Sequence, residues 1–548
     1  MTAKVFPIDP LEGPKLALSG RIVCMDGRLT VIPGGTVYVD KGLIVAVQPK
    51  EEKPPAGFEA IPVVETGGTL FPGLIELHNH LSYNALPLWK VPQTFHNRDQ
   101  WGRINEYREL VSAPMQVVGK TPGLLPSLVR YVECKALVAG VTTTQGIQLA
   151  SNGAVRSYYR GIVRNVEATD DKDLPEANTR IEDVDARDVE KFYARLSRSH
   201  CLLLHLSEGV DDKARNHFLA LNMGHDRWAI NRELASIHCT GLKDSDFGIL
   251  QEHKGSMVWS PLSNLLLYGR TALAASAKRQ GVLMAIGSDW SPTGSKNLLC
   301  ELKVAQMFSH QSGGFLSDVD IVRMVTCDAA SIIGWQGAVG SLEKGKRADI
   351  VVIDGMKEDP YAALIKANEK SVLLVMINGV ARYGDASLMD RLNAGGEKVK
   401  IGGLARTLYM EQKTQDQRVA ATSLKKAVST LRKAFRQMPQ LARELEGREV
   451  RRFRLRARGI PEPIEWTLAL DELGETGLDL RPRIPFGGAR GFTGPRLGAA
   501  QAAKPLSKVV KSMRLDPLTV VDDDDYVLVM AQQRNLPQYV KAGLPMFY

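Results

Sequence analysis

The sequence predicts an α/β protein: a (β/α)8 TIM-like barrel inserted in a small composite β-sandwich domain, followed by a C-terminal α+β extension. Three observations carry this. The middle of the chain, about 68–335, alternates apolar strand runs with helical stretches, the pattern of β/α units around a parallel sheet. Short β-branched-rich runs punctuated by Gly and Pro fill 16–67 and return at 337–383, on either side of that middle. Polar residues of the middle strands collect at their C-terminal ends, the face on which a β/α barrel builds its active site.

Taken in order, the flanks 1–67 and 336–400 read as one β-domain built from both ends of the chain, 68–335 as the catalytic barrel and 401–548 as the extension. Barrel strands are expected at 74–80, 141–145, 161–167, 202–207, 236–240, 257–260 and 283–289. The eighth should lie between 168 and 200, where the sequence shows a helix at about 186–197 and no evident strand. Another helix is expected at 298–307.

Composition narrows the class. With 44% apolar and 24% charged residues, the chain reads as an ordinary globular protein with a large core. It shows no apolar run of membrane-spanning length, and its first ten residues lack the apolar core of a signal peptide. Six cysteines without a Cys-x-x-Cys pair suit reduced thiols and a cytoplasmic location. The net charge of +9 falls entirely in 401–548, which holds 25 basic and 16 acidic groups, so the body's ligands cannot be read from the pI.

The chemistry starts at Phe-Pro-Gly-Leu-Ile-Glu-Leu-His-Asn-His. Side chains alternate along a strand, so His78 and His80 point one way and Asn79 the other, offering two imidazoles to one ion. A catalytic zinc-type site wants further N/O ligands and a position left for water. His205 ends its apolar run as such a ligand, and Glu208, three residues on, is placed to shuttle a proton. His238, in Ser-Ile-His-Cys-Thr-Gly, is either a ligand or a donor that polarises the substrate. Asp289, in Ile-Gly-Ser-Asp-Trp, reads as a metal ligand that also accepts a proton, with a helix N-cap as its alternative. His96, His200, His217, His225, His253 and His310 lack strand-end context and are expected to be surface or structural residues.

Phe-Pro-Gly-Leu-Ile-Glu-Leu-His-Asn-His, Gly-Val-Thr-Thr-Thr, His-Leu-Ser-Glu, Ile-His-Cys, Ser-Pro-Leu-Ser-Asn, Ile-Gly-Ser-Asp and Gly-Ser-Leu-Glu-Lys-Gly-Lys-Arg-Ala-Asp-Ile-Val-Val together resemble the amidohydrolase superfamily in order and spacing. The branch is that of chlorotriazine hydrolases, guanine, cytosine and thiomethyladenosine deaminases, and imidazolonepropionase. The resemblance covers about 16–385. It implies ligands His78, His80, His205 and Asp289, one metal per site, Zn2+ or Fe2+, with His238 contacting substrate or bound hydroxide and Glu208 moving protons. It also implies hydrolysis of a non-peptide C–N bond by metal-activated water, deamination of a nitrogen heterocycle being one form, and a homo-oligomer. Hydrolysis of a cyclic or linear amide at the same centre is the enzymatic alternative. A non-catalytic scaffold with a partner- or nucleic-acid-binding tail is the alternative of another class.

Three positions depart from the family pattern. Glu76 stands where an Asp is usual, and Trp259 where many relatives carry His. The strand that bears a bridging carboxylated lysine in two-metal members is the one not located, with Lys172 and Lys191 in its stretch. Tyr83, Trp89, Asn97, Arg98 and Trp101, in the long loop after the first strand, are expected to bind a planar small-molecule substrate, together with Trp259 and Asn264. The same loop aromatics can equally be buried under a loop folded over the barrel. In the extension, an amphipathic basic helix is expected at 419–437 and an alternating basic strand at 452–458, with partner strands at 463–470 and 525–531 and an irregular loop at 483–500. No nucleic-acid motif accompanies the basic ladder, so a solvated face is the expectation.

Overall fold

The computed structural model describes residues 11–153, 155–179, 188–412, 416–419, 422–457, 463–470 and 505–548. The two flanks of the chain meet in one sheet. Leu16–Val23, Val31–Asp40, Leu43–Pro49 and Val63–Pro72 come from one side, and Ile350–Ile353, Val372–Ile377 and Val380–Asp385 from the other. The seam is the antiparallel pairing of Val63–Pro72 with Ile350–Ile353, in register Phe71↔Val351. The hairpin Glu397–Ile401 with Leu404–Leu408 extends one edge to give nine strands. Alternation decides the two faces: Ile350 and Val352 pack with Leu18, Ile22 and Val37. Val351 and Ile353 point into the large core shared with the middle of the chain.

That middle holds two parallel sheets. Leu74–Glu76, Val141–Thr144 and Arg164–Asn165 form one; Leu202–Leu206, Leu234–His238, Ser256–Trp259 and Leu283–Ile286 form the other. Each expected strand position is occupied, most by a shorter strand that stops before its polar end. Backbone hydrogen bonds join the sheets at both edges. Ala177 N donates to Val166 O at 2.8 Å and Asn178 bridges Leu202, so two residues stand where the sequence showed no strand. A segment that short has no period to read. At the other edge Asn79 bridges Asp289, with Asp289 N donating to His78 O at 3.0 Å and His80 N to Asp289 O at 2.6 Å.

The extension brings two corrections. Residues 452–457 continue the helix Met438–Ala457 and do not form a strand; Arg, Leu and Ala are all good helix formers, and alternation alone did not weigh against them. Residues 525–531 lie in the helix Asp524–Ala531, whose first turn carries Asp524 and Asp525, where acidic groups meet the positive end of the helix dipole. The strand expected at 463–470 exists as Trp466–Leu468, paired with Gln148–Ser151 and not with a basic ladder. The amphipathic helix is present as Leu424–Arg436, with Leu424, Leu431 and Phe435 buried. Position 458 and the 483–500 loop lie outside the described residues.

Residues 505–548 pack on the body through buried charges. Asp516 accepts from Lys135 Nζ at 2.5 Å and Lys296 Nζ at 2.9 Å, and Lys296 also reaches Asp523 at 2.5 Å. Gln533 bonds Val91 N and Trp89 O, and Asn535 bonds Thr94 and Gln93 O. The segment thereby holds the loop that follows the first parallel strand. Among the described residues no helix is long and apolar enough to cross a membrane.

Candidate metal centre

Four strand ends bring the expected residues together. Leu74–Glu76 leads into His78 and His80, Leu202–Leu206 carries His205, Leu234–His238 ends on His238, and Leu283–Ile286 leads into Asp289. His80 Nε2 lies 3.2 Å from His205 Nε2 and 3.7 Å from Asp289 Oδ1; His78 Nε2 lies 3.1 Å from the same oxygen. Two sets, His78–His80–Asp289 and His78–His205–His238, each keep their ligand atoms within 4.8 Å of one another. The other six histidines belong to neither set.

Local backbone geometry makes the cluster possible. A Cβ on Gly287 would lie 2.5 Å from His78 Cβ and 2.7 Å from its carbonyl oxygen, so only glycine lets the two strands approach this closely. His238 and Asp289 are left-handed, at φ +69° and +66°. Such backbone costs about 1–3 kcal/mol and tends to collect at functional sites.

Hydrogen bonds prepare His78 for a cation. Gln145 Oε1 accepts Asn79 N–H at 2.9 Å and lies 3.2 Å from His78 Nδ1. An amide oxygen only accepts, so the imidazole proton is assigned to Nδ1 and Nε2 carries the lone pair. That Nε2 is buried and makes no hydrogen bond of proper geometry, although Asp289 Oδ1 is close. Acceptors turned toward one another in this way fit a shared divalent ion, which His78, His80, His205 and Asp289 could hold. Gln145→Leu should therefore weaken zinc binding about 10–100-fold, as outer-shell losses do, in a chelator-competition titration.

The electrostatics suit the same purpose. Burial pushes the pKa of His205 well down, with Arg98 adding to the effect; burial also lowers His238 and His78, against the pull of Asp289. Neutral imidazoles are the form that binds metal. Burial works against the charge of Asp289, which protonated neighbouring imidazoles, His78 first, would offset. Ser263 Oγ donates to Asp289 Oδ2 at 2.5 Å. Glu76, buried and with its pKa raised by burial, accepts from Ser288 N at 3.0 Å and so props the turn that carries Asp289.

Glu208 sits beside the cluster. Tyr268 OH donates to its Oε1 at 2.8 Å, Arg98 Nη1 lies 3.4 Å from its Oε2, and His238 Nε2 lies 3.8 Å from that oxygen. Trp101 Nε1 donates to the same Tyr268 hydroxyl at 2.9 Å. Tyr83, Trp89 and Trp101 are buried. Tyr83 and Trp101 pack with Trp290, whose ring centroid is 5.4 Å from that of His80, while Trp89 packs on Phe95 and Tyr107. Asn97 caps the short helix Arg98–Trp101 and donates to Asp211. Trp259 lies behind the cluster against Phe308 and Phe315, and Asn264 touches His238. Trp290, Tyr268, Gln145 and Ser263 were not singled out from sequence. Of these, Gln145 alone carried a signal, as the polar end of an expected strand.

Lys172 and Lys191 are exposed, and the residues that pair at the edge where the sequence showed no strand are Ala177 and Asn178, so among the described residues no lysine takes part in that pairing. The cavity bounded by Arg98, His205 and Glu208 is only about 10 Å³, far below the roughly 300 Å³ at which small-molecule pockets begin. A groove of about 930 Å³ runs along the helix Leu424–Arg436 and is lined by none of these residues.

Residues 200–382 match the model of the amidohydrolase family. The chain carries an amidohydrolase family domain. It is 27% identical over 206 residues to a 5-methylthioadenosine/S-adenosylhomocysteine deaminase of Syntrophus aciditrophicus, covering 34% of this chain and 46% of that protein. It is 28% identical over 206 residues to an S-triazine hydrolase of Gordonia rubripertincta, covering 36% and 42%. These matches thus span less than half the length of either relative. A longer, weaker match, 23% over 449 residues, takes in 74% of this chain and 95% of the Moorella thermoacetica 5-methylthioadenosine/S-adenosylhomocysteine deaminase. Among solved structures, Escherichia coli guanine deaminase superposes at a TM-score of 0.51, with 16% identity over 67% of this chain and 99% of that one. An atrazine chlorohydrolase variant of Arthrobacter aurescens, crystallised with zinc and atraton, gives 0.52, with 17% identity over 67% and 94%. These neighbours carry a TIM-barrel-type α/β fold to the amidohydrolase domain.

Proposed function

We propose that this protein is a metal-dependent amidohydrolase that deaminates a nitrogen heterocycle at a single metal held by His78, His80, His205 and Asp289. The observation that carries the proposal is the convergence of His78 Nε2 and His80 Nε2 on Asp289 Oδ1, with His205 Nε2 3.2 Å from His80 Nε2 and Glu208 beside them. In this reading 68–335 is a (β/α)8 barrel inserted in a composite β-sandwich of 1–67 and 336–400, and 401–548 is an extension whose described residues pack against both. Zn2+ suits three imidazoles and a carboxylate, and Fe2+ is the alternative. The six thiols are free, in keeping with a cytoplasmic enzyme.

When bound, the ion supplies a Lewis acid that makes water acidic enough to attack near neutral pH. The protein's own groups do the rest. Glu208 takes a proton at Oε2 and passes it to the departing nitrogen, while Tyr268 steadies its other oxygen. Asp289 Oδ2 is held by Ser263, leaving Oδ1 turned to the histidines. The aromatic layer of Tyr83, Trp101 and Trp290 excludes water from the reacting carbon. Arg98 lies 3.4 Å from Glu208, so a substrate that reaches Glu208 displaces it. Across the reaction, water and the amino-heterocycle give the oxo-heterocycle and ammonia.

The test is a screen of the zinc-loaded protein on 5-methylthioadenosine, S-adenosylhomocysteine, guanine, adenosine and amino-triazines, with lactams and linear amides as controls. Ammonia release from a heterocycle, with the oxo product seen by mass spectrometry, is the expected result. Activity confined to the amides would replace this reading with the amide hydrolase.

A further inference from the structure

Trp259 departs from the family pattern, and in the structure it packs against Phe308 and Phe315. It is fully buried, and its sole polar group, Nε1–H, can only donate. Nε1 lies 2.7 Å from Thr271 Oγ1, so the Thr271 oxygen accepts and its own proton is left to give onward. That oxygen is 3.2 Å from Asn264 Oδ1, which only accepts, so Thr271 donates to it. With Oδ1 engaged, Asn264 turns Nδ2 toward His238 and lies 3.1 Å from its Nδ1. An amide nitrogen only donates, so His238 Nδ1 must accept. The ring proton then belongs on Nε2, the atom 3.8 Å from Glu208 Oε2.

We propose that Trp259, Thr271 and Asn264 form a one-way hydrogen-bond wire that fixes His238 as the Nε2–H tautomer. The proposal rests on the metal centre described above and deepens it. A neutral imidazole with its proton on Nε2 and its Nδ1 taken by Asn264 has no lone pair to offer an ion. Of the two possible ligand sets, the wire therefore selects the one containing Asp289, with His205 completing it. His78 and His238 are neighbours, 5.0 Å between ring centroids, yet hold opposite tautomers: a carbonyl from Gln145 faces one Nδ1 and an amino group from Asn264 faces the other. Trp259 starts the wire because it is a donor of fixed direction. A histidine there could donate or accept and would leave the tautomer unset. Trp259 and Thr271 are thus positioning residues, acting through Asn264 on His238.

The test uses the zinc-loaded full chain with 15N-labelled histidine, in which long-range 1H–15N spectra separate the two tautomers and His238→Asn assigns the signal. The wild type should show His238 protonated at Nε2, Thr271→Val should give mixed tautomers, and Thr271→Ser should restore the single one, all with unchanged zinc content. On the heterocycle turned over fastest in the screen, Thr271→Val should lower kcat about 10–100-fold, as outer-shell losses do, and Thr271→Ser should stay within about threefold of wild type. A wild-type His238 protonated at Nδ1, or bound to zinc, overturns the wire. So do equal losses in the Val and Ser variants, or loss of zinc in Thr271→Val. The spectra need no substrate, so the wire can stand or fall independently of the proposed deamination.

Discussion

Glu208→Gln is expected to lower heterocycle deamination about 100- to 10,000-fold, the range that loss of a positioned general acid–base costs, while zinc content stays at the wild-type level. The two readouts are set apart by the geometry. Glu208 belongs to neither set of clustered ligand atoms, so removing its charge should leave the ion's holders intact. Its Oε2 faces His238 and Arg98, and its Oε1 is held by Tyr268, which aims one oxygen toward the reacting centre. Glutamine keeps the shape and can still accept from Tyr268, but it cannot carry a proton. Equal loss of zinc and activity would make Glu208 a ligand and sink its assignment as proton carrier.

Asp516→Ala should destabilise the protein by about 3–5 kcal/mol, the cost of leaving a buried charge without its partner. Asp516 is the carboxylate shared by Lys135 and Lys296, and both amines are buried. Burial lowers the Lys135 pKa to about 8 even with that carboxylate present. The effect should also reach the metal. Lys135 Nζ donates to Asn84 O at 2.7 Å, and the Asn84 side chain accepts from Ser291 N at 2.8 Å and donates to Asn79 Oδ1 at 3.0 Å. Asn79 lies between His78 and His80, and Ser291 is two residues past Asp289. Urea unfolding and zinc affinity measured on the same variant check both parts. A stability change under about 1 kcal/mol, the size of an exposed pair, would contradict the buried network.

Much of the candidate centre was legible because its chemistry sits on strand ends. Apolar runs that stop on His78, His205, His238 and Asp289 announce both the strand and the residue it presents, and Glu208 follows one of them within a single turn of loop. What the sequence could not convey depends on tertiary packing. Trp259 has the composition of a pocket wall, but it faces Phe308 and Phe315, and its value lies in one N–H. Trp290 and Tyr268 reach the site through the fold alone; no spacing distinguishes them from core aromatics. The pairing that Ala177 and Asn178 make with Val166 and Leu202 spans two residues and leaves no pattern. Residues 452–457 alternate as a strand would, yet they extend a helix already running from Met438, because a helix in progress adds residues at little cost. Charge marks 401–548 as a basic extension but does not show what its parts pack against. Asp516, Gln533 and Asn535 tie 505–548 to the loop after the first parallel strand.

We propose that His78, His80, His205 and Asp289 hold one divalent ion. Elemental analysis of the full chain, purified without chelator and equilibrated with zinc, tests it most directly. About one equivalent of zinc per chain is predicted, falling below about a tenth in His78→Ala, as for a catalytic site of three histidines and a carboxylate. A wild-type chain with less than about a tenth of an equivalent, or a His78→Ala variant that binds zinc as well as wild type, would contradict it.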